Sequence, residues 1–294
     1  MSTTVLTRAA DNQPLRRQRR SLTSWLILVT GLITVVIWVF PLWMSVATAL
    51  KDPIEVATTQ PWSAPHHLYL NNFTRFWEMS GFGTKLRNSV VINIAACAIS
   101  VVLSFLNAVA LQLGNVRRSR AVLTACMIAF AIPQEALVFP VYKVAKLTHT
   151  YGSILPLIVI LGVLYSALGT FLLGEVMRAF PRELIEAAHI DGAGIWRVLT
   201  SVVLPILRPT LLTLTVMVLI WDWNEYMMPL MLLPGNDQQT IPVAIASTFG
   251  PPGFNSVPDI AWGAAGVVLS SAPTVLIFLV CQRVIARGIT IGTD

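Results

Sequence analysis

Two carboxylates stand three residues apart in an aromatic setting, Trp221-Asp222-Trp223-Asn224-Glu225-Tyr226. Paired acids can exchange protons with a bound substrate. Beside flat rings and an amide they can also hydrogen-bond a hydroxyl-rich solute. They fall in an apolar run, Ile206 to Leu230, long enough to cross a bilayer. An ionisable group at the centre of such a helix costs at least about 2.5 kcal/mol, so it faces a cavity or a partner. Two readings follow. Either Asp222, Asn224 and Glu225 line a substrate pathway, or the segment is an aromatic belt at the membrane boundary whose acids reach water. Gln134 and Glu135, just after Pro133, pose the same choice: they line that cavity beside a kink, or they bond a neighbouring helix. Asn93 and Asn107 are expected to pack between helices. His66, His67 and His149 lack metal-ligand spacing and receive no site. No Gly-x-x-x-x-Gly-Lys-Ser/Thr occurs to cradle ATP. No His-Glu-x-x-His or Gly-x-Ser-x-Gly occurs to hydrolyse anything.

The elements that position these residues are long apolar runs. The chain is 55% hydrophobic and 12% charged, where a soluble domain carries roughly 25% charged residues. A spanning helix needs roughly 20 apolar residues. Six runs qualify: Leu22–Ala47, Ser89–Leu111, Ala121–Tyr142, Ser153–Met177, Ile206–Leu230 and Trp262–Ile285. The first is too long for the core of a signal peptide and reads as a retained span. Pro41, Pro133, Pro140, Pro156, Pro229 and Pro273 punctuate the runs and predict bent helices packed on one another. The net charge of +6 sits beside these runs, which is the pattern of a membrane protein and not of a nucleic-acid surface. Fourteen of the 20 basic residues fall on one side if the spans alternate. The bias places both termini in the cytoplasm, with a basic tail at 1–21 and a short tail at 289–294. Cys97, Cys126 and Cys281 lie in apolar runs and suggest neither a disulfide framework nor a metal site.

Between the fourth and fifth runs, on the same side as the termini, lies Phe180–Pro209. Pro181 suits the first position of a helix, Glu183 favours its positive end, and Gly192 stands where a left-handed residue closes it. Leu184, Ala187, Ala188 and more loosely Ile185 can form its apolar stripe. A second short helix is expected from Ala193, with Ile195, Leu199 and Val203 four residues apart, ended by Pro205. By pattern alone this could be an ordinary interfacial helix pair.

The order Glu186-Ala187-Ala188, Asp191-Gly192-Ala193 and Leu204-Pro205 resembles the EAA loop of binding-protein-dependent ABC importer permeases. Asn88-Ser89, Pro133, Pro140-Val141-Tyr142, the Trp221–Tyr226 stretch and the tail Gln282-Arg283 with Gly288-Ile289-Thr290-Ile291-Gly292 are similar to the carbohydrate (maltose-type) branch. The ending Thr293-Asp294 departs from that branch's basic terminus, and residues 1–20 lie outside the resemblance.

The resemblance implies an all-α membrane protein with six transmembrane helices of the type I ABC importer permease fold. It implies a permease domain over 22–288 and an EAA coupling loop at 180–205. Glu186, Ala187, Ala188, Asp191, Gly192, Ala193 and Pro205 would couple to a separate ATPase. There Gly192 would serve a turn or close approach that a Cβ would block, and Glu186 would hold the helix pair or meet the ATPase. Asp222, Asn224, Glu225 and Glu135 would line the path of a sugar or oligosaccharide. Phe249 and Phe254, in a Pro- and Gly-rich outer segment, would meet an extracytoplasmic binding protein or lipoprotein, although that segment also reads as a solvated connector. The implied partners are a second permease subunit, unlike this one in that branch, two ATPase subunits and the lipid bilayer of a bacterial plasma membrane. No cofactor is expected on this chain, because ATP and Mg2+ would act on the ATPase. The competing readings are a permease for a polyol, glycerol phosphate or other solute, and an intramembrane enzyme using Asp222 and Glu225.

Overall fold

The computed structural model describes residues 22–114, 116–248 and 257–290. The tail expected at 1–21, and Phe249 and Phe254, lie outside them; of the tail expected at 289–294, residues 289–290 are the end of a helix and 291–294 lie outside. The described residues form helices and turns, with no strand among them. Five helices are long and apolar enough to cross a membrane, and a bent pair raises the number to six.

In chain order the helices are α1 (Leu22–Ala49), α2 (Pro53–Thr58), α3 (Asn71–Met79), α4 (Phe82–Leu113), α5 (Ser119–Ala131), α6 (Gln134–Leu147), α7 (Ile154–Arg178), α8 (Arg182–Ile190), α9 (Ile195–Val198), α10 (Leu204–Trp223), α11 (Met227–Leu232), α12 (Ile241–Thr248) and α13 (Val257–Thr290). The chain divides at Met44. From Trp25 to Trp43 α1 is exposed and apolar around its whole circumference, as befits a helix in lipid.

From Ser45 onward the core is a seam between α4 and α7. Ala96, Ser100, Ser104 and Ala108 recur every fourth residue on α4 and are fully buried. They face Gly162 and Gly169 of α7, where a Cβ would overlap Ile99 and Ser104 respectively. Small residues bring two backbones close where lipid offers no hydrophobic drive to pack. Polar side chains then bond across the seam: Ser104 Oγ to the Ser166 carbonyl at 3.3 Å, and Asn107 Nδ2 to Thr170 Oγ1 at 3.3 Å. Leu207, Leu211, Leu214 and Val218 of α10 complete this cluster. Asn93 Nδ2 donates to the Leu219 carbonyl at 2.9 Å, tying α10 to α4. Asn93 and Asn107 thus hold helices together, as their sequence positions suggest.

Three boundaries differ from the sequence reading, each for a backbone reason. The third run is two helices bent by 89°. Ile132, the residue before Pro133, is extended at φ −67° and ψ 127°, because a proline disfavours helix in its predecessor. The fifth run stops as a helix at Trp223, not near Leu230. Pro229 has no N–H to give the Glu225 carbonyl and its ring would strike it. Pro205, expected to end a helix, does not. Ile195 to Trp223 is one continuous helix of 29 residues that widens to a π-turn at Leu199–Val203. Leu204 N–H reaches back five residues to the Leu199 carbonyl, and this wider turn accommodates the proline ring.

The segment between α1 and α4 is a built structure and not a loose connector. Lys51 is buried, and its ammonium donates to Thr59 Oγ1, the Gln60 carbonyl and Ser63 Oγ at 3.1, 2.7 and 2.8 Å. Asn72 Nδ2 donates to the carbonyls of Ala49 and Lys51. Asp52 caps α2 by accepting the Glu55 N–H at 2.8 Å, which holds its carboxyl below the usual range.

Candidate functional site

The first candidate region is the loop between α7 and α10. Pro181 is the cap residue before α8 and not its first helical residue. The helix closes with paired bonds: Ala193 N–H to the Ala188 carbonyl at 2.9 Å and Gly192 N–H to the His189 carbonyl at 3.0 Å. This Schellman closure needs a left-handed residue in the middle, and Gly192 supplies it at φ +76°. Ala188 and Ala193, joined by the first bond, pack together with Ile185 against the main apolar cluster. The spacing of Glu186-Ala187-Ala188 to Asp191-Gly192-Ala193 is therefore the spacing of one turn motif.

Other expectations for the loop are corrected. The inward stripe is Ile185, Ala188 and Ala193; Leu184 and Ala187 are exposed, because the turn at Gly192 fixes which face of α8 meets the core. Ile195 is exposed, and the inward residues of the second helix are Val198, Leu199 and Val203. A Cβ at Gly192 would have nothing within 4 Å, so the close approach is absent within the chain and the backbone angle is the constraint. Glu186 is exposed and makes no hydrogen bond or ion pair among the described residues, so it does not hold the helix pair. What remains outside is apolar and charged together: Ile190 is 85% exposed and Trp196 73%. At the loop's root, Arg120, Arg178 and Arg182 help to wall a cavity of about 260 Å3.

The second region is the far end of α10. Trp221 packs its ring near Phe130 of α5 and Tyr165 of α7, with centroids 5.6 and 6.1 Å away. Gln134, first residue of α6, donates to the Tyr165 hydroxyl at 3.3 Å. The bent α5–α6 pair and α10 thus converge on one aromatic surface, with Trp221 and Phe130 partly open and Tyr165 of α7 buried behind them. Glu135 is exposed there, within electrostatic reach of Glu225. Glu225 is half-buried and accepts the Met228 N–H at 3.0 Å, which caps α11. Asn224 is exposed and donates to the Ile220 carbonyl at 2.7 Å. Phe130 and Tyr165 escaped the sequence reading, although a tyrosine midway along an apolar run is itself a signal.

Asp222 is buried where Asn224 and Glu135 are exposed, and it shares a small cavity with Glu225. It is 7% exposed, and neither carboxylate oxygen has a hydrogen-bond partner. With Ser89, Glu225 and Thr240 it lines a cavity of about 10 Å3, on the order of one water. Helical rotation explains the separation: one residue turns a side chain by about 100°, so Trp221 faces the aromatic surface while Asp222 faces α4. Trp223 turns further, into a second cluster with Phe76, Phe82 and Ala265, and donates to the Ser270 carbonyl of α13 at 3.2 Å. Asn88 and Ser89 pin the 237–241 segment: Asn88 Nδ2 donates to the Asp237 carbonyl at 2.8 Å, and Ser89 Oγ accepts the Ile241 N–H at 2.9 Å. His66 and His67, assigned no site from spacing, lie against Glu55 and Asp52 at 2.9 and 3.0 Å.

A bundle of lipid-length helices with a capped surface loop at one end and a polar aromatic face at the other defines a polytopic membrane protein. Residues 100–291 match the family described as binding-protein-dependent transport system inner membrane component, and the chain belongs to it. It is 27% identical to the arabinooligosaccharides transport system permease protein AraQ of Halalkalibacterium halodurans, over 95% of this chain and 99% of that one. It is 26% identical to the melibiose/raffinose/stachyose import permease protein MelC of Bacillus subtilis, over 86% and 90%. It is 31% identical to the sn-glycerol-3-phosphate transport system permease protein UgpE of Escherichia coli, over 85% and 90%. A solved chain of a bacterial ABC transporter involved in the import of the acidic polysaccharide alginate superposes with a TM-score of 0.78 at 18% identity, covering 92% of this chain and 99% of that one. The all-α permease fold expected from the sequence is therefore the fold of the protein. The chain is an ABC importer permease subunit, a membrane component and not an enzyme, and such a subunit works with a binding protein and an ATPase.

Proposed function

We propose that the chain forms the translocation path for an uncharged sugar or oligosaccharide. The observation that carries the reading is the partly open aromatic surface of Trp221 and Phe130, backed by the buried ring of Tyr165, with Gln134, Glu135, Asn224 and Glu225 around it. Flat rings stack on the apolar faces of a sugar, and the amides and carboxylates bond its hydroxyls. The names of AraQ and MelC, both oligosaccharide permeases, point the same way. UgpE raises the second reading, a phosphate ester. Two acids at this surface disfavour a doubly negative solute, and the stretch 221–233 that carries Glu225 has no lysine or arginine.

The α8–Gly192–α9 unit is the ATPase-docking element in this proposal, with Glu186, Ile190 and Trp196 facing the partner and Ala187, Ala188, Asp191, Ala193 and Pro205 shaping the unit. It places that loop and both termini in the cytoplasm. The partner permease is an unlike chain, the ATPase pair binds ATP and Mg2+, and this chain binds no cofactor. Reconstitution with the binding protein and ATPase in vesicles tests the reading by ATPase stimulation. Neutral oligosaccharides should stimulate. Stimulation by sn-glycerol 3-phosphate or amino acids alone would overturn it.

A further inference from the structure

We propose that Asp52, Glu55 and His67 form a site for one divalent transition-metal ion, of the Zn2+ class. Each offers one ligand atom, two carboxylate oxygens and an imidazole nitrogen, and the three atoms lie within 4.8 Å of one another. Ligand atoms around a tetrahedral Zn2+ sit about 3.4 Å apart for bonds of about 2.0–2.2 Å, so the widest pair closes by up to about 1.4 Å. His67 Nε2 and Asp52 Oδ2 are already 3.0 Å apart.

The second and independent observation is Glu55. Its side chain is only 5% exposed. One oxygen, Oε1, accepts the backbone N–H of His66 at 2.8 Å and faces that residue's Nδ1 at 2.9 Å. The other, Oε2, is buried with no hydrogen-bond partner. A carboxylate oxygen taken from water and left unpartnered is unfavourable, and a cation beside it removes the penalty. Two carboxylates and a neutral imidazole balance a divalent charge, and nitrogen with oxygen is the donor mix that Zn2+, Ni2+ or Co2+ accepts, where Ca2+ and Mg2+ prefer oxygen alone. On binding, the metal takes the Nε2 lone pair of His67 and the ring keeps its proton on Nδ1.

The backbone around the site is tied by hydrogen bonds, and the exposed His67 ring is free to close on the ion. Lys51 ties Thr59, Gln60 and Ser63 together with its three bonds, and Asn72 holds the chain at Ala49 and Lys51. Asp52 and Glu55 share the first turn of α2, and the metal would clamp that helix to the strand of chain at His67, closing the loop between them. His66 acts as a positioning partner for Glu55 and is not a ligand.

The test uses the assembled, nucleotide-free transporter in detergent, with Co2+ as the probe for its visible absorption and Zn2+ as competitor. One Co2+ per copy of this chain should bind and be displaced by Zn2+. His67→Ala, at a ring 61% exposed, should weaken binding by about 100-fold or more. His66→Ala should retain one-to-one stoichiometry with a smaller loss. Both variants should assemble, as judged by gel filtration, since both rings are largely in solvent. Absence of a bound ion in the wild type, or equal binding by the wild type and His67→Ala, would overturn the assignment.

Discussion

Replacing Gly192 by valine isolates the backbone requirement of the loop between α7 and α10. The residue sits at φ +76°, and no atom lies within 4 Å of where a Cβ would stand. Within the chain the penalty is therefore conformational and not steric. A left-handed conformation costs an L-residue about 1–2 kcal/mol, and a branched β-carbon places valine at the upper end. At about 1.4 kcal/mol per factor of ten, the equilibrium constant for closing the turn falls about 5- to 30-fold, which sets the upper limit of the effect. The Ala188–Ala193 bond goes with it, and α8 loses its fixed angle to α9. Proteoliposomes carrying the whole transporter should take up solute up to about 5- to 30-fold more slowly at unchanged ATP hydrolysis per complex. Gly192→Asn is the control, because asparagine visits the left-handed region readily, and it should recover most of the uptake. Normal uptake by Gly192→Val would refute the reasoning. Equal damage from asparagine and valine would refute it differently, by making a contact with the ATPase the constraint.

Three further outcomes follow from the packing. Gly169→Ala would push a methyl into Ser104 and to 2.7 Å from Leu214 Cδ2; it should destabilise the bundle by about 1–3 kcal/mol, read as a lower unfolding temperature in detergent. Trp221→Ala removes two ring contacts, each of about 0.5–1.5 kcal/mol, and should cut solute-stimulated ATPase activity about tenfold, while Trp221→Phe keeps most of it; an unaffected alanine variant would remove Trp221 from the path. Asp222→Asn keeps the shape of a buried, unpartnered side chain and deletes its charge. It should raise thermal stability, with uptake within about threefold of wild type; a collapse of uptake with the fold intact would return Asp222 to the substrate path.

Apolar run length located the membrane helices, because lipid imposes a length of roughly 20 residues whatever the packing. The loop was equally legible: Gly192 and its neighbours form a local turn whose bonds all fall within six residues. The order of residues along the chain could not reveal which of Trp221, Asp222 and Trp223 faces which neighbour, since that depends on the rotation of α10 against α4 and α7. Asp222, grouped with Asn224 and Glu225 by proximity in sequence, is buried and shares with Glu225 a cavity the size of one water, while Asn224 is exposed. His66 and His67 were invisible for a related reason. Their partners, Asp52 and Glu55, are more than ten residues away, and only the folded 51–72 segment brings them together.

Pro205 carries the larger mechanical consequence. Read as a helix breaker, it would have separated the surface loop from the spanning helix and left a hinge between them. The π-turn at Leu199–Val203 absorbs the proline instead, so Ile195 to Trp223 runs as one helix of 29 residues, about 43 Å at 1.5 Å per residue. One end begins two residues after the Ala188–Ala193 closure, and the other carries Trp221. Ile185, Ala188 and Ala193 pack on the same cluster that takes in Val203, Leu207 and Leu214, so a displacement of α8 is passed on to α10 and not taken up by a loose joint. Beyond Trp223 the helix ends, and Pro229 keeps α11 from joining it, since its ring and missing N–H exclude the bond to the Glu225 carbonyl. Motion applied at the loop therefore arrives where Trp221, Asn224 and Glu225 stand. A helix running unbroken between a capped turn and an aromatic face suits the function proposed above, in which the docking element and the solute path are two ends of one helix.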